Sequence, residues 1–241
     1  MQTKTTNFGL TGNQLKLIAM LLMTVDHVGA YLLPQYRFLR ILGRLAMPVF
    51  AWMIAEGCTY SRNRRRYLLT IGVVALVCAV VNYLFMHSLR QTILVTFSMS
   101  IILIVLLDFA VKRKNISSLV LMGAGFAIAG YICVFLPAKL PVSGFSIDYG
   151  FCGVLLPVLI YVGRNRAEKL MMASAGLAMV AMYGYPLQWY ALFSIPLLAL
   201  YNGQRGKYKL KYLFYIYYPL HLAAIYGVGL LLAALKSGGY L

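Results

Sequence analysis

An aspartate and a histidine, Asp26 and His27, interrupt an apolar run that is long enough to cross a membrane. The run covers residues 15–33 and reads LKLIAMLLMTVDHVGAYLL, and about 20 apolar residues in a helix span the hydrocarbon core of a bilayer. Ionisable side chains at that depth cost a few kcal/mol each, and those that persist usually mark a functional site. The pair therefore indicates chemistry inside the membrane, with His27 as the candidate general base.

Lys16 and His27 are eleven residues apart, which is three helical turns plus about 20°. Both side chains therefore lie on one face of a helix, with His27 about 16 Å deeper than Lys16. This arrangement suits a ligand that carries phosphates at one end and a reactive group on a long thin arm, and coenzyme A has this shape. Lys16 could equally be an anchor whose ammonium group reaches the membrane surface.

A stripe of arginines begins the second predicted helix. Arg37, Arg40 and Arg44 recur at i, i+3 and i+7, a spacing that places them on one helical face. The estimated depth of Arg44 allows its guanidinium to reach Asp26, and an ion pair would lessen the cost of burying both charges. Arg37 and Arg40 could bind either an anionic acceptor or lipid headgroups.

The other end of the second predicted helix carries an acid and then a basic cluster. Glu56 could orient a base, or it could pair with the arginines that follow it. Those arginines are Arg62, Arg64, Arg65 and Arg66. Such a cluster usually sets membrane topology, and its guanidinium groups also match the geometry of phosphates.

A second histidine, His221, lies in the last apolar segment, which begins YLFYIYYPLHLAAIY. It is about 13 Å from the start of that segment, a depth similar to that of His27, so the two histidines could share one cavity. Haem also takes histidine ligands, but nothing else in the sequence favours haem. The four cysteines form no C-x-x-C pair and are interpreted as small buried apolar residues. We expect no metal site.

The elements that must position these residues are membrane helices. Of the 241 residues, 62% are hydrophobic and 11% are charged, whereas soluble domains contain about 25% charged residues. The sequence therefore predicts an all-α polytopic membrane protein, a single domain over residues 1–241 with about nine transmembrane helices. The predicted limits are roughly 15–33, 41–58, 68–86, 93–110, 117–135, 149–163, 171–184, 187–201 and 212–235.

The formal net charge of +17 could indicate nucleic-acid binding, but the distribution of the basic residues favours membrane topology. Most of them fall in alternate loops between the predicted helices, as the positive-inside rule describes. This distribution predicts a multi-pass protein in contact with membrane lipids and not with nucleic acid. Its N-terminus would lie in the cytoplasm and its C-terminus on the opposite side.

Three segments of the sequence resemble the TraX family, which is named for the conjugation protein implicated in N-acetylating F-type pilin. They read LTGNQLKLIAMLLMTVDHVGAYLL, FLRILGRLAMPVFAWMIAEGCTYSRNRRRYLL and FYIYYPLHL, and the resemblance spans essentially the whole chain. The family in turn is similar to the membrane-bound acyltransferases that O-acylate surface glycans and lipids.

In those acyltransferases an arginine precedes a histidine by eleven residues on the first membrane helix. Lys16 and His27 take these places here, with lysine for arginine. Arg62 and Arg65 match the spacing of a second motif, R-x-x-R near the cytoplasmic face, and His221 is similar to a histidine of the final helix. The resemblance implies a protein of the bacterial cell membrane in which acyl-CoA enters from the cytoplasm and His27 is central to acyl transfer.

These observations predict an acyltransferase that moves an acetyl or other acyl group from acetyl-CoA to an amine or hydroxyl of a protein N-terminus, a glycan or a lipid. One alternative is a transporter in which Asp26, His27 and Arg44 form a relay. The paired broken helices that such transporters show are absent from the sequence. Another alternative is a non-catalytic membrane component of a conjugation or envelope complex. The residues predicted to act in the acyltransferase are Lys16, Arg62, Arg64, Arg65 and Arg66 for the CoA phosphates, Arg37 and Arg40 for the acceptor, and Asp26, His27, Arg44, Glu56 and His221 for catalysis.

Overall fold

The computed structural model describes residues 9–140, 144–208 and 210–237, which are predominantly helical. The first helix, α1, covers Gly12–Tyr31 and begins with a capping box. The Thr11 hydroxyl accepts from the backbone N–H of Gln14, and the Gln14 side chain accepts from the backbone N–H of Thr11. These two bonds satisfy donors that the start of a helix otherwise leaves unpaired, and they set where α1 begins relative to Lys16.

The second predicted helix consists of two helices in close succession, α2 (Arg37–Gly43) and α3 (Ala46–Tyr60). The remaining helices are α4 (Arg64–Met86), α5 (Ile93–Arg113), α6 (Ile116–Gly130), a π-helical turn (Tyr131–Phe135), α7 (Leu136–Lys139), α8 (Gly150–Val162), α9 (Arg166–Tyr183), a 3-10 helix (Pro186–Phe193), α10 (Ser194–Ala199) and α11 (Lys211–Ser237). The helices α4, α6 and α9 each start at an asparagine whose side chain accepts from the backbone N–H three residues on. An asparagine at this position satisfies a donor that the start of a helix otherwise leaves unpaired.

Among the described residues, five helical segments are long and apolar enough to cross a membrane, and the chain is accordingly an all-α membrane protein. The described residues are helical at each of the nine predicted positions, but nine crossings are not confirmed. The helix α8 is short, and α1 is less apolar because it carries Lys16, Asp26 and His27. The five segments are Arg37–Tyr60, Arg64–Met86, Ile93–Arg113, Ile116–Lys139 and Leu213–Leu235.

The packing places α1 and α3 inside the bundle. The helix α1 packs against α2, α3 and α11, and α11 also packs against α4. Fully buried side chains such as Leu15, Trp52, Phe97 and Ile101 form the core between them. The helices α4 and α6 bury little of their apolar surface, as expected where the surrounding solvent is lipid. All four cysteines are free, and three are buried, which agrees with their interpretation as apolar residues.

The two ends of the bundle differ in charge and structure. The end at which α1, α4, α6 and α9 begin carries most of the basic residues, and we call it the basic face. At the opposite end, the far face, two strands of two residues each form a parallel pair. These are β1 (Arg90–Gln91) and β2 (Ser146–Ile147), with Arg90 opposite Ser146.

Candidate active site

Two cavities lie between the helices that surround α1. The histidine cavity opens toward the far face, has a volume of about 280 Å³ and is lined by Asp26, His27 and Arg44 among others. The lysine cavity opens toward the basic face, has a volume of about 530 Å³ and is lined by Lys16 among others. Phe50, Ile93 and Tyr218 line both cavities and form the partition between them.

The two histidines predicted to share a cavity are in direct contact. His27 Nδ1 lies 2.8 Å from His221 Nε2, and the two rings stack with their centroids 5.0 Å apart. His27 lines the histidine cavity, whereas His221 lies behind it and lines neither cavity. His27 is therefore the member of the pair that can reach a ligand, and His221 can reach it only through His27.

The hydrogen bonds define which ring donates and which accepts in the neutral pair of His27 and His221. His221 Nδ1 lies 3.1 Å from the backbone carbonyl oxygen of Tyr217. A carbonyl oxygen can only accept, so Nδ1 of His221 carries the proton and donates. Nε2 of a neutral His221 then accepts, and Nδ1 of His27 donates to it. This leaves Nε2 of His27 with a free lone pair, which is the form of imidazole that accepts a proton in general base catalysis.

Asp26 forms the predicted ion pair with Arg44 and a further one with Arg40. Arg44 Nη2 lies 2.5 Å from Asp26 Oδ1 and also contacts Oδ2, and Arg40 Nη1 donates to Oδ2 at 2.8 Å. Asp26 does not contact its neighbour His27 through these bonds. The close packing depends on Gly43, because a Cβ there would lie 2.2 Å from the Cβ of Asp26.

The rim of the histidine cavity contains residues that the sequence did not single out for function. Arg90 Nη2 donates to Asp148 Oδ1 at 2.9 Å, and the charge of Asp148 raises the pKa of Arg90. Tyr149 follows in the left-handed region with φ 60°, which is rare for a residue with a side chain. Its hydroxyl lies 3.4 Å from Arg44 Nη1. The left-handed backbone of Tyr149 is a feature of the structure, and no pattern in the sequence indicates a role for this residue.

The lysine cavity has a positive mouth and apolar walls. Lys16 lies there, with Nζ 5.3 Å from the centroid of the Phe214 ring, and Arg205 lines the same cavity. Neither cation forms an ion pair with any described residue. Arg205 was not among the residues predicted from the sequence to bind phosphate. The apolar walls include Ile71, Val74 and Phe97.

Glu56 lines the lysine cavity and does not contact the arginine cluster, so the second of its two predicted roles, a pair with Arg62–Arg66, is wrong. Its carboxylate accepts from Lys169 Nζ at 2.5 Å and from the Tyr201 hydroxyl at 3.3 Å. Both Glu56 and Lys169 are buried. Because Lys169 neutralises Glu56, the carboxylate does not cancel the positive charge of Lys16 and Arg205.

None of the clustered arginines predicted to bind phosphate lines the lysine cavity. Arg64 is occupied elsewhere, since it pairs with Asp108 and donates to the Cys58 carbonyl and the Tyr161 hydroxyl, both at 2.8 Å. Arg62, Arg65 and Arg66 are exposed at the basic face, and Arg37 is exposed at the far face. Among the described residues, no three His, Cys, Asp or Glu side chains lie close enough to hold a metal ion.

Comparisons with known proteins identify relatives of the chain and its family. The chain is 24% identical to the probable fimbrial assembly protein FimC, serogroup H1, of Dichelobacter nodosus, over 91% of this chain and 96% of that protein. It is 34% identical to the uncharacterized protein RP591 of Rickettsia prowazekii (strain Madrid E), over 34% of this chain and 32% of that protein. No solved structure matches the chain. The family model for the TraX protein matches residues 11–229, so this chain belongs to the TraX family.

Proposed function

We propose that the chain is an acyltransferase that takes an acetyl or other acyl group from acyl-CoA on the basic face and passes it to an acceptor in the histidine cavity. The observation that carries this proposal is the position of α1 between the two cavities. One face of α1 presents Lys16 to the lysine cavity, and His27 lines the histidine cavity three turns further along. A donor with phosphates at one end and a thioester at the other spans this distance.

The lysine cavity suits the donor. Its volume of about 530 Å³ lies in the range of cavities that bind cofactors and small molecules. Lys16 and Arg205 would hold the phosphates at the mouth, and the pantetheine arm would lie along the apolar walls toward the partition. The positive-inside rule supports a cytoplasmic position for the basic face, and acyl-CoA would then enter from that side. The predicted contribution of Arg62–Arg66 to phosphate binding is replaced in this proposal by Arg205.

The chemical step uses the free lone pair of His27. Nε2 of His27 takes the proton from the acceptor amine or hydroxyl as its nitrogen or oxygen attacks the thioester carbonyl. The carbon–sulfur bond then breaks, the CoA thiolate leaves, and the proton on His27 passes to that thiolate. His221 stabilises the transient imidazolium by accepting from Nδ1 of His27. A positioned base of this kind contributes about 10²- to 10⁴-fold in rate.

The guanidinium groups of the histidine cavity would serve the same step. Attack on the thioester places negative charge on the carbonyl oxygen, and preorganised donors that face such a charge stabilise the transition state. Arg40 and Arg44 lie in this cavity with Asp26 between them. In this proposal Asp26 fixes the two guanidinium groups in place and does not itself transfer a proton.

An affinity label tests the proposal without knowledge of the acceptor. In bromoacetyl-CoA, the carbon that carries bromine lies next to the thioester carbonyl, and an imidazole nitrogen displaces bromide from it. We expect the purified protein, with the partly exposed Cys152 replaced by serine, to be alkylated at Nε2 of His27, as mapped by peptide mass spectrometry. Acetyl-CoA should protect His27, and Lys16→Met and Arg205→Met should slow the labelling. A folded protein in which His27 is not labelled would refute the proposal.

A second candidate function rests on the relative in Dichelobacter nodosus that is named a probable fimbrial assembly protein. The chain would then be a membrane component of a fimbrial or pilus apparatus without catalytic activity of its own. The two functions differ in what they require of the histidines. A deletion strain complemented with His27→Ala keeps its surface fibres if the role is only structural, and it loses the modification of their subunits if the chain is an acyltransferase.

A further inference from the structure

The helices α1 and α11 meet in a seam of three polar pairs, and the histidine pair is the middle one. On α1 the three residues recur at i, i+3 and i+7, so they occupy one face in successive turns. The outermost pair joins two tyrosine hydroxyls 3.3 Å apart. The pair nearest the basic face joins a threonine hydroxyl to a tyrosine hydroxyl. The pairs are Thr24–Tyr217, His27–His221 and Tyr31–Tyr226.

The hydrogen bond between Thr24 and Tyr217 also has a defined direction. The Thr24 hydroxyl donates to the carbonyl oxygen of Met20 at 2.9 Å, which uses its only proton. Thr24 Oγ1 therefore accepts, and the Tyr217 hydroxyl donates to it. The phenol ring of Tyr217 is thus held at its outer end by α1, although its backbone belongs to α11.

Tyr217 contacts His221 in two ways. Its ring stacks on the His221 ring with centroids 5.2 Å apart and planes inclined by 7°. Its carbonyl oxygen accepts from His221 Nδ1. A chain of contacts therefore runs from Thr24 through Tyr217 and His221 to His27, and each member limits the rotation of the next.

We propose that Thr24 and Tyr217 are positioning residues that fix the direction of the hydrogen bond between His27 and His221. A neutral pair of histidines has two possible directions. In the observed setting, His221 Nδ1 donates to the carbonyl and His27 keeps a free lone pair on Nε2. In the reverse setting, His221 Nε2 donates to His27 and His27 Nε2 carries a proton, so it cannot act as a base. Release of the Tyr217 ring lets His221 turn away from the carbonyl and reach that reverse setting.

This inference rests on the proposed function in one respect only, which is the use of the His27 lone pair in acyl transfer. The state of the two rings is a property of the resting protein, and it can be measured without donor or acceptor. The chain has three histidines, and the third, His87, is exposed at the far end of α4. In a His87→Gln protein, the ¹⁵N spectrum of labelled histidine reports the two paired rings, His27 and His221, alone.

The decisive variant is Thr24→Val, which removes the hydroxyl and keeps the shape of the side chain. We expect the parent protein to show protonated Nδ1 and unprotonated Nε2 in both rings, and Thr24→Val to show both tautomers in exchange. Labelling of His27 by bromoacetyl-CoA should slow in Thr24→Val in proportion to the loss of the tautomer with a free Nε2, which is about twofold where the two tautomers are equally populated. Thr24→Ser keeps the hydroxyl and should restore both results. Thr70→Val is the matched control, because Thr70 donates to a carbonyl of its own helix in the same way but lies on α4, away from the seam.

The outcomes separate this inference from the proposed function. An unchanged ¹⁵N spectrum in Thr24→Val, or a parent protein with protonated Nε2 on His27, would overturn the positioning role. The expected spectrum in a folded parent protein that bromoacetyl-CoA does not label would overturn the proposed function and leave the positioning role standing. A labelling rate that falls equally in Thr24→Val and Thr24→Ser would show that the hydroxyl does not matter, and it would also overturn the inference.

Discussion

Replacement of Asp26 by asparagine should destabilise the protein more than replacement of either arginine that binds it. Asparagine keeps the shape of the side chain, which matters because residue 26 packs closely against Gly43. It removes the negative charge from a site where the Arg44 side chain is only 9% exposed. An uncompensated buried charge costs about 3–5 kcal/mol, and we expect the free energy of unfolding to fall by roughly that amount.

The two arginines should differ from each other for the same reason. Arg44→Met leaves Asp26 paired with Arg40 at 2.8 Å, so it strands no charge and should cost less than Asp26→Asn. The Arg40 side chain is 33% exposed, and a pair of that exposure contributes about 0.2–1 kcal/mol. The double variant of Asp26→Asn with Arg44→Met should be more stable than Asp26→Asn alone, because it also removes the stranded guanidinium.

Reversible unfolding in mixed detergent micelles, followed by far-UV circular dichroism, measures the free energy of unfolding of the parent and of the four variants. The expected order of loss is Asp26→Asn, then Arg44→Met, then Arg40→Met. If Asp26→Asn costs no more than Arg40→Met, or if the double variant is less stable than Asp26→Asn, the ion pair does not compensate a buried charge.

Three further results are expected. Gly43→Ala should lower the free energy of unfolding by about 1–3 kcal/mol through overpacking against Asp26. Gly72→Ala should instead stabilise α4 by about 0.5–1 kcal/mol, because an added Cβ there meets nothing within 4 Å. Equal effects of the two substitutions in denaturant titrations would contradict this prediction. Glu56→Gln strands its buried lysine partner and should cost about 3–5 kcal/mol, and a thermal melt within a degree of the parent's would be inconsistent with the pair. Acetyl-CoA at a hundredfold excess over Kd should stabilise the protein by about 2.7 kcal/mol. Lys16→Met should weaken this stabilisation, whereas Arg65→Met should leave it unchanged. The opposite ranking would indicate that the arginine cluster, and not Lys16, binds the phosphates.

Much of the fold could be predicted because it depends on local sequence. The described helices lie at the nine predicted positions, since an apolar run of sufficient length has few alternatives to a helix in lipid. The common face of Lys16 and His27 follows from helical geometry alone. The matched depths of His27 and His221 were likewise readable from the distance of each residue to the end of its segment.

Ion pairs between side chains on different helices could be predicted only where few residues of opposite charge lay within reach. The chain has five acidic residues, and the estimated depth of Arg44 in the membrane identified it as the partner of Asp26. For Glu56 the sequence offered either the orientation of a base or a pair with the arginines that follow it, whereas its partner is Lys169, 113 residues away. Arg64 is turned toward Asp108 instead, and Arg205, which lies in a loop, joins Lys16 in the lining of the lysine cavity.

The sequence by itself determined the helices, the residues that share a face on each of them, and the depth of each ionisable group. The tertiary structure alone decided which faces meet, and therefore the direction of the histidine pair, the seam with Thr24 and Tyr217, and the partition between the two cavities. The physical reason is that helical periodicity is a local property, set by 3.6 residues per turn. The rotation of each helix about its axis depends on the packing of all its neighbours at once, and no local pattern in the sequence records it.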